Sequence, residues 1–359
     1  MSVKFSGNMN RRRFMGVSAG LVGATLLPYK SWAAEEKQLN VYNWDTYIGE
    51  TTLSSFTEKT GVKVQYDLFA DNEELFAKLK EGNPGFDVIF PSDYMVETMI
   101  TTDILVQLDH NKIPNLKNIN PSFSKLAYNP GLKFGVPYMW GTVGFGYRKS
   151  KTESVPDSWG SIFDPKQSSK LSGRIALLAD QRMVIGAALK YLGYPLNSVD
   201  PKQVAEARDL VIAAKKDIKT FAPDNGQDLL ASGEVDVAME WNGDIVQVMG
   251  EDKDLSYVVP KEGSVVWTDN ICIPKGAPHM ENAYAFLNHI HDATVNAEIA
   301  NTIHYATANA AAKPMLLAED LSNPAVYPPD SIVSNCESVV DVGDAARLYD
   351  EAWTAIQAA

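Results

Sequence analysis

The chain has 359 residues, 45% of them hydrophobic, with 24 Gly and 19 Pro; that balance suits one or two globular domains with sizeable cores and excludes a fibrous or largely disordered chain. Its 32 basic residues against 45 acidic ones leave a formal charge of −13, which argues against nucleic acid or an anionic membrane surface as a partner and favours a cationic ligand.

The first 33 residues read as a targeting segment. Asn10-Arg11-Arg12-Arg13-Phe14-Met15 is a twin-arginine pattern, followed by an apolar stretch from Gly16 to Leu27 and a small-residue exit at Ser31-Trp32-Ala33. The apolar stretch is too short to span a bilayer, so the expectation is a cleaved signal peptide, with a retained anchor as the alternative, and a periplasmic protein exported by the twin-arginine route. Cleavage removes Lys4, Arg11, Arg12, Arg13 and Lys30 and no acid, which takes the balance to near −18. Gly16-Val17-Ser18-Ala19-Gly20 matches the nucleophile pattern G-x-S-x-G, but that motif needs a strand-turn-helix in a folded sheet, so it carries no catalytic weight in a segment destined for removal.

From Gln38 onward the apolar pattern alternates between strand and helix. "LNVYNW" (39–44) and "VKVQYDLF" (62–69) predict strands, "NEELFAKLKEG" (72–82) a helix, and "FDVIFPS" (86–92) a strand buried on both faces. The same grammar restarts with "RIALLAD" (174–180), the helical "MVIGAALKYLG" (183–193) and "PKQVAEARDLVIAAKK" (201–216), and the strand "VDVAMEW" (235–241). Such alternation predicts parallel sheet wrapped by helices. Two α/β units are expected, joined near "YMWGTVGFGYR" (138–148), where Gly141, Gly144 and Gly146 would permit a hinge. Cys272 and Cys336 are expected as two buried thiols, with a bridge as the alternative. The five His show no zinc pattern.

Ligands in open α/β sheets bind beyond the carboxyl ends of strands, so the residues just after each apolar run are the candidates. They are Trp44, Asp45 and Tyr47; Ser92, Asp93 and Tyr94; Asp180; Trp241 and Asp244; and Trp267 and Asp269. Aromatic faces attract ammonium groups by roughly 0.5 to 2 kcal/mol each, and a carboxylate adds a charge-assisted hydrogen bond. Together they suit a small molecule with apolar methylenes and more than one positive end. Singly, Ser92, Asp93, Asp180 and Asp244 could be helix caps, and each Trp could be core. Recurrence at equivalent strand ends favours the binding role. By strand alternation Glu240 should point away from Trp241, and it is left out of the set.

The segments "VYNWDTYIGE", "FDVIFPSDYMVE", "GVPYMWGTVGFGY", "EWNGDIVQV", "VVPKEGSVVWTDNICIP" and "HYATANAAAK" resemble, in order, the periplasmic spermidine- and putrescine-binding proteins of polyamine ABC importers. The resemblance runs from about Leu39 to the C-terminal "VGDAARLYDEAWTAIQ". It implies the α/β, type II periplasmic binding fold, with two α/β lobes, a ligand cleft and a two-segment hinge. The expected lobes are residues 36–142 plus 268–313 and residues 143–267 plus 314–359. Carrying the family's binding positions across gives Trp44, Asp45, Thr46, Tyr47, Ser92, Tyr94, Asp180, Trp241, Asp244, Trp267, Asp269 and Tyr305. Trp241-x-x-Asp244 is closer to the putrescine-binding members, and Trp267-x-Asp269 to the spermidine-binding ones. Met183 stands where the family usually has a second carboxylate, and Val339 where spermidine binders carry a glutamine. Both changes favour a diamine, whose middle is all methylene.

The function implied is a non-enzymatic, monomeric polyamine-binding protein, with no cofactor or metal, delivering putrescine or spermidine to an inner-membrane ABC permease. A periplasmic polyamine sensor docking to a membrane signalling protein is the alternative. A secreted hydrolase has no assembled nucleophile and base in the mature chain to support it.

Overall fold

The structure, a computed structural model, describes residues 35–359, so the signal segment and its G-x-S-x-G pattern lie outside the described residues. Among the described residues no helix is long and apolar enough to cross a membrane.

Ten strands form one sheet: β1 (Gln38–Asn43), β2 (Lys63–Leu68), β3 (Val88–Ile89), β4 (Gly135–Arg148), β5 (Ile175–Leu178), β6 (Ile218–Ala222), β7 (Val237–Trp241), β8 (Leu255–Val258), β9 (Val266–Cys272) and β10 (Ala306–Thr307). The order is β2-β1-β3-β9-β4-β7-β5-β6, with β8 and β10 also paired to β4. β1 runs parallel to β2 and β3, and β5 parallel to β6 and β7, as βαβ alternation predicts. Parallel pairing does not extend through the sheet, because β4 is antiparallel to β7, β8, β9 and β10 and β3 is antiparallel to β9. A continuous apolar run such as β4 or β9 marks burial on both faces and says nothing of strand direction.

β4 carries the segment 138–148, where the join between the two units is expected. It is a 14-residue strand whose pairing with β9 shifts register between Pro137 and Trp140. Its first half pairs with β9, from Gly135 opposite Cys272 to Thr142 opposite Val266, and its second half with β7, from Val143 opposite Trp241 to Tyr147 opposite Val237. Its glycines make room for neighbours. A Cβ at Gly141 would overlap Asn242 Oδ1 and sit 2.7 Å from the Trp267 ring, and one at Gly144 would overlap the Val258 carbonyl. Asn242, so admitted, accepts from the Thr142 amide at 3.0 Å and donates to the Ala325 carbonyl at 2.8 Å.

Helices cover the sheet and supply the core. Leu75 and Leu79 on Asn72–Lys80, Met183 to Leu189 on Gln181–Tyr191 and Phe286 to Ile290 on Met280–Ile290 pack in one apolar cluster with Val41, Ile89, Val136, Val143, Ile175 and Ile271. Cys272 and Cys336 are free thiols; Cys272 is buried as expected, whereas Cys336 is half-buried.

Candidate ligand-binding site

A cavity opens where β1, β6, β7 and β9 end or pass beneath the helix starts. It is lined by Trp44, Asp45, Tyr47, Ser92, Asp224, Trp241, Asp244, Trp267, Asp269 and Tyr305. Four aromatic rings form a continuous wall. Tyr47 meets Tyr305 at 5.3 Å, Tyr305 meets Trp267 at 5.3 Å, and Trp267 meets Trp241 at 5.8 Å, each edge to face. Four carboxylates project among them, and no Lys, Arg or His is among the described residues that line the cavity.

Each side chain is held by its element. Trp44 follows β1, and its indole Nε1 donates to the Phe90 carbonyl at 2.8 Å. Asp45 accepts from the Thr46 amide at 2.9 Å, with Thr46 in the left-handed region (φ 45°). Ser92 occupies the N-cap position of the helix Asp93–Thr101 but does not cap it. Its hydroxyl instead donates to Asp269 Oδ1 at 2.6 Å while accepting from Asn72 Nδ2 at 3.1 Å. Trp241 closes β7, and Asp244 lies in the first turn of the helix Asn242–Glu251, with Gln247 Nε2 donating to it at 3.3 Å. Tyr305 packs its ring on Gly243, where any Cβ would overlap it.

Two buried polar atoms of the cavity wall, the Tyr47 hydroxyl and the Trp267 indole nitrogen, have no hydrogen-bond partner. Buried groups of this kind are normally satisfied, so unpartnered ones on a cavity wall suit contact with a ligand. Burial pushes the Asp269 carboxyl up to about 7, against the pull of its hydrogen bond from Ser92. Burial, then the Asp45 charge, pushes Asp224 up to about 7. Burial, then Asp224, raises Asp244 well above the usual carboxylate range. A set of carboxyls crowded and desolvated in this way is poised to gain from a cation.

Nine of the twelve residues expected from sequence line this cavity; Thr46, Tyr94 and Asp180 do not. Thr46 is exposed. Tyr94 turns its hydroxyl to Glu73 Oε1 at 3.1 Å. Asp180 caps the helix Gln181–Tyr191, accepting from the Arg182 and Met183 amides, so its plainer role is met. It also lines a second cavity with Asp71, Asp224, Trp44 and Trp241. The two cavities share Trp44, Asp224 and Trp241 as a common wall. Met183 and Val339 are buried in the main core and line neither cavity.

Asp224 is the lining residue that sequence reasoning missed. It follows β6, whose residues "IKTFA" alternate weakly and are mostly half-buried, so the sequence marks no strand end there. Glu240, set aside by alternation, is fully buried with its carboxylate close behind Asp224 and Asp244.

Residues 51–326 match the profile of the bacterial extracellular solute-binding proteins. The chain is 34% identical to the putrescine-binding periplasmic protein PotF of Escherichia coli (strain K12), over 97% of this chain and 98% of that one. It is 32% identical to the spermidine/putrescine-binding periplasmic protein of Salmonella typhimurium (strain LT2), over 91% and 93%. Among solved structures, a spermidine/putrescine ABC transporter protein from Listeria monocytogenes superposes with a TM-score of 0.85 at 33% identity, covering 89% of this chain and 99% of that one. The fold is therefore the periplasmic-binding-protein type, and the chain belongs to the bacterial extracellular solute-binding protein family.

Proposed function

We propose that this protein binds a linear polyamine in the aromatic cavity and delivers it, in the periplasm, to the permease of an ABC importer. The observation that carries the reading is the cavity wall itself, with aromatic rings for methylenes, four carboxylates for ammonium groups and no basic side chain to repel them. The names of the similar binding proteins point the same way. Asp269, anchored by Ser92, holds one ammonium; Asp244 and Asp224 hold another; Trp241, Trp267 and Tyr305 pack the chain between. Ser92 has a carboxylate as its partner and no imidazole, which supports binding without chemistry.

The twin-arginine signal directs export, and the mature protein acts as a monomer whose two lobes, divided as expected from sequence, close on the ligand. The ligand is not confined to diamines. Asp71, Asp180 and Asp224 around the abutting cavity offer acidic contacts for a third ammonium, and Met183 and Val339, the two positions that favour a diamine, line neither cavity. Calorimetric titration with putrescine, cadaverine, spermidine, spermine and neutral amino acids tests the reading. Saturable binding of polyamines alone is expected; binding of neutral amino acids, or of no polyamine, would overturn it.

A further inference from the structure

Behind the cavity wall lies a carboxylate that the binding reading has not used. Glu240, the fourth residue of β7, is 0% exposed. It shares its face of the strand with Ala238, which packs in a small apolar cluster with Ala176, Leu230, Val235, Ile245 and Leu255. Its Oε1 accepts from the Trp241 amide at 3.1 Å, while Oε2 is buried without a partner. Gly226 makes the side chain possible, because a Cβ at that position would overlap Oε2. One carboxylate oxygen from each of Asp224, Glu240 and Asp244 lies within 4.8 Å of the other two. Buried side-chain oxygens are normally hydrogen-bonded, so an unpartnered one beside two further carboxyls suits contact with a ligand.

The number of oxygens and their surroundings favour one kind of guest. The three oxygens lie no more than 4.8 Å apart, close enough for one cationic group to contact all of them. Calcium takes oxygens at about 2.3 to 2.6 Å and wants six to eight of them, and magnesium takes them at about 2.0 to 2.1 Å. A primary ammonium offers three N–H groups at tetrahedral angles, and acceptors placed along them at about 2.8 Å are about 4.6 Å apart. Beyond the oxygens the walls are the Trp241 and Tyr305 rings, which suit a methylene chain rather than a hydrated metal.

Resting on the polyamine reading, we propose that Asp224, Glu240 and Asp244 form a three-carboxylate receptor for one primary ammonium head, and that Glu240 makes the site selective for –NH₃⁺ over N-alkylated ends. A secondary ammonium has one N–H fewer and sets an alkyl group against one of the three oxygens. Burial, then the Asp224 and Asp244 charges, raises Glu240 well above the carboxylate range, so it holds a proton before the ligand arrives. The other titratable groups facing it are the Tyr257 and Tyr305 phenols, both raised by burial and therefore neutral. The entering ammonium replaces that proton, which passes to solvent.

The test is calorimetry of wild type, E240Q and E240L with putrescine and with N,N′-dimethylputrescine, each in two buffers of different ionisation enthalpy so that released protons are counted. Wild type is expected to prefer putrescine by at least tenfold and to release protons near neutral pH. E240Q and E240L should bind putrescine at least tenfold more weakly, narrow the preference and release fewer protons. Wild-type binding with no proton release overturns the proposal without any variant. Variants that keep the wild-type affinity, preference and proton count overturn it as well. Failure of wild type to bind any polyamine is a distinct result, which overturns the underlying reading.

Discussion

The Ser92 hydroxyl donates to Asp269 Oδ1 at 2.6 Å across 177 positions of sequence, tying the helix start after β3 to the middle of β9. The bond leaves the second oxygen of a buried carboxylate for a ligand and fixes where it points. Replacing Asp269 by Asn should therefore weaken polyamine binding by roughly 2 to 5 kcal/mol, largely because a cation is left poorly paired. Calorimetry on folded D269N checks this, and wild-type affinity would remove Asp269 from the site.

Proton linkage gives a second expectation. Burial raises Asp269 and Asp224 each to about 7, whereas unfolded aspartates titrate near 4. Between about 4 and 7 the native state holds more protons than the unfolded chain, so ligand-free stability falls as pH rises through that window. A bound dication favours the charged forms, so stabilisation by putrescine should grow with pH over the same range. Melting temperatures measured from about pH 4.5 to 8, with and without putrescine, should diverge; parallel curves would contradict the assignment.

The abutting cavity makes a third. Asp71 and Asp180 line the space beyond Trp44 and Trp241 and are absent from the aromatic cavity. D71N/D180N should lose spermidine affinity about tenfold more than putrescine affinity, one unpaired ammonium accounting for that ratio. Equal losses for both ligands would confine binding to the first cavity.

Gly141 offers a test of packing. Its backbone is ordinary strand, yet a Cβ would overlap Asn242 and press on Trp267. Gly141→Ala should destabilise the protein by about 1 to 3 kcal/mol through overpacking, read from urea denaturation, and should weaken ligand binding by displacing Trp267. An unchanged denaturation midpoint would mean that the Asn242 bridge between β4 and Ala325 yields freely.

Much of the site was legible because its residues sit where apolar runs stop. The apolar runs of β1 and β7 lead to Trp44 with Asp45 and to Trp241 with Asp244, whereas Trp267 and Asp269 lie within β9, at its second and fourth residues, and not after its end. Asp224 escaped because β6 lies at the sheet edge, where half-exposed "IKTFA" carries little hydrophobic signal. Alternation places Glu240 on the Ala238 face but does not say that Gly226 clears space for its carboxylate to reach Asp224 and Asp244. The glycines of 138–148 also serve close approach, which composition alone does not reveal.

The perpendicular indoles of Trp241 and Trp267, 5.8 Å apart at 87°, have a consequence for observation. Two chromophores this close exchange excitation, so their near-ultraviolet circular dichroism should contain a couplet of opposite signs whose amplitude depends on their mutual angle. A guest seated between these rings would alter that angle. The Trp241–Trp267 pair would thus serve as an intrinsic optical gauge of the aromatic cavity, one that reads occupancy without a label and separates local rearrangement of the rings from changes elsewhere in the chain.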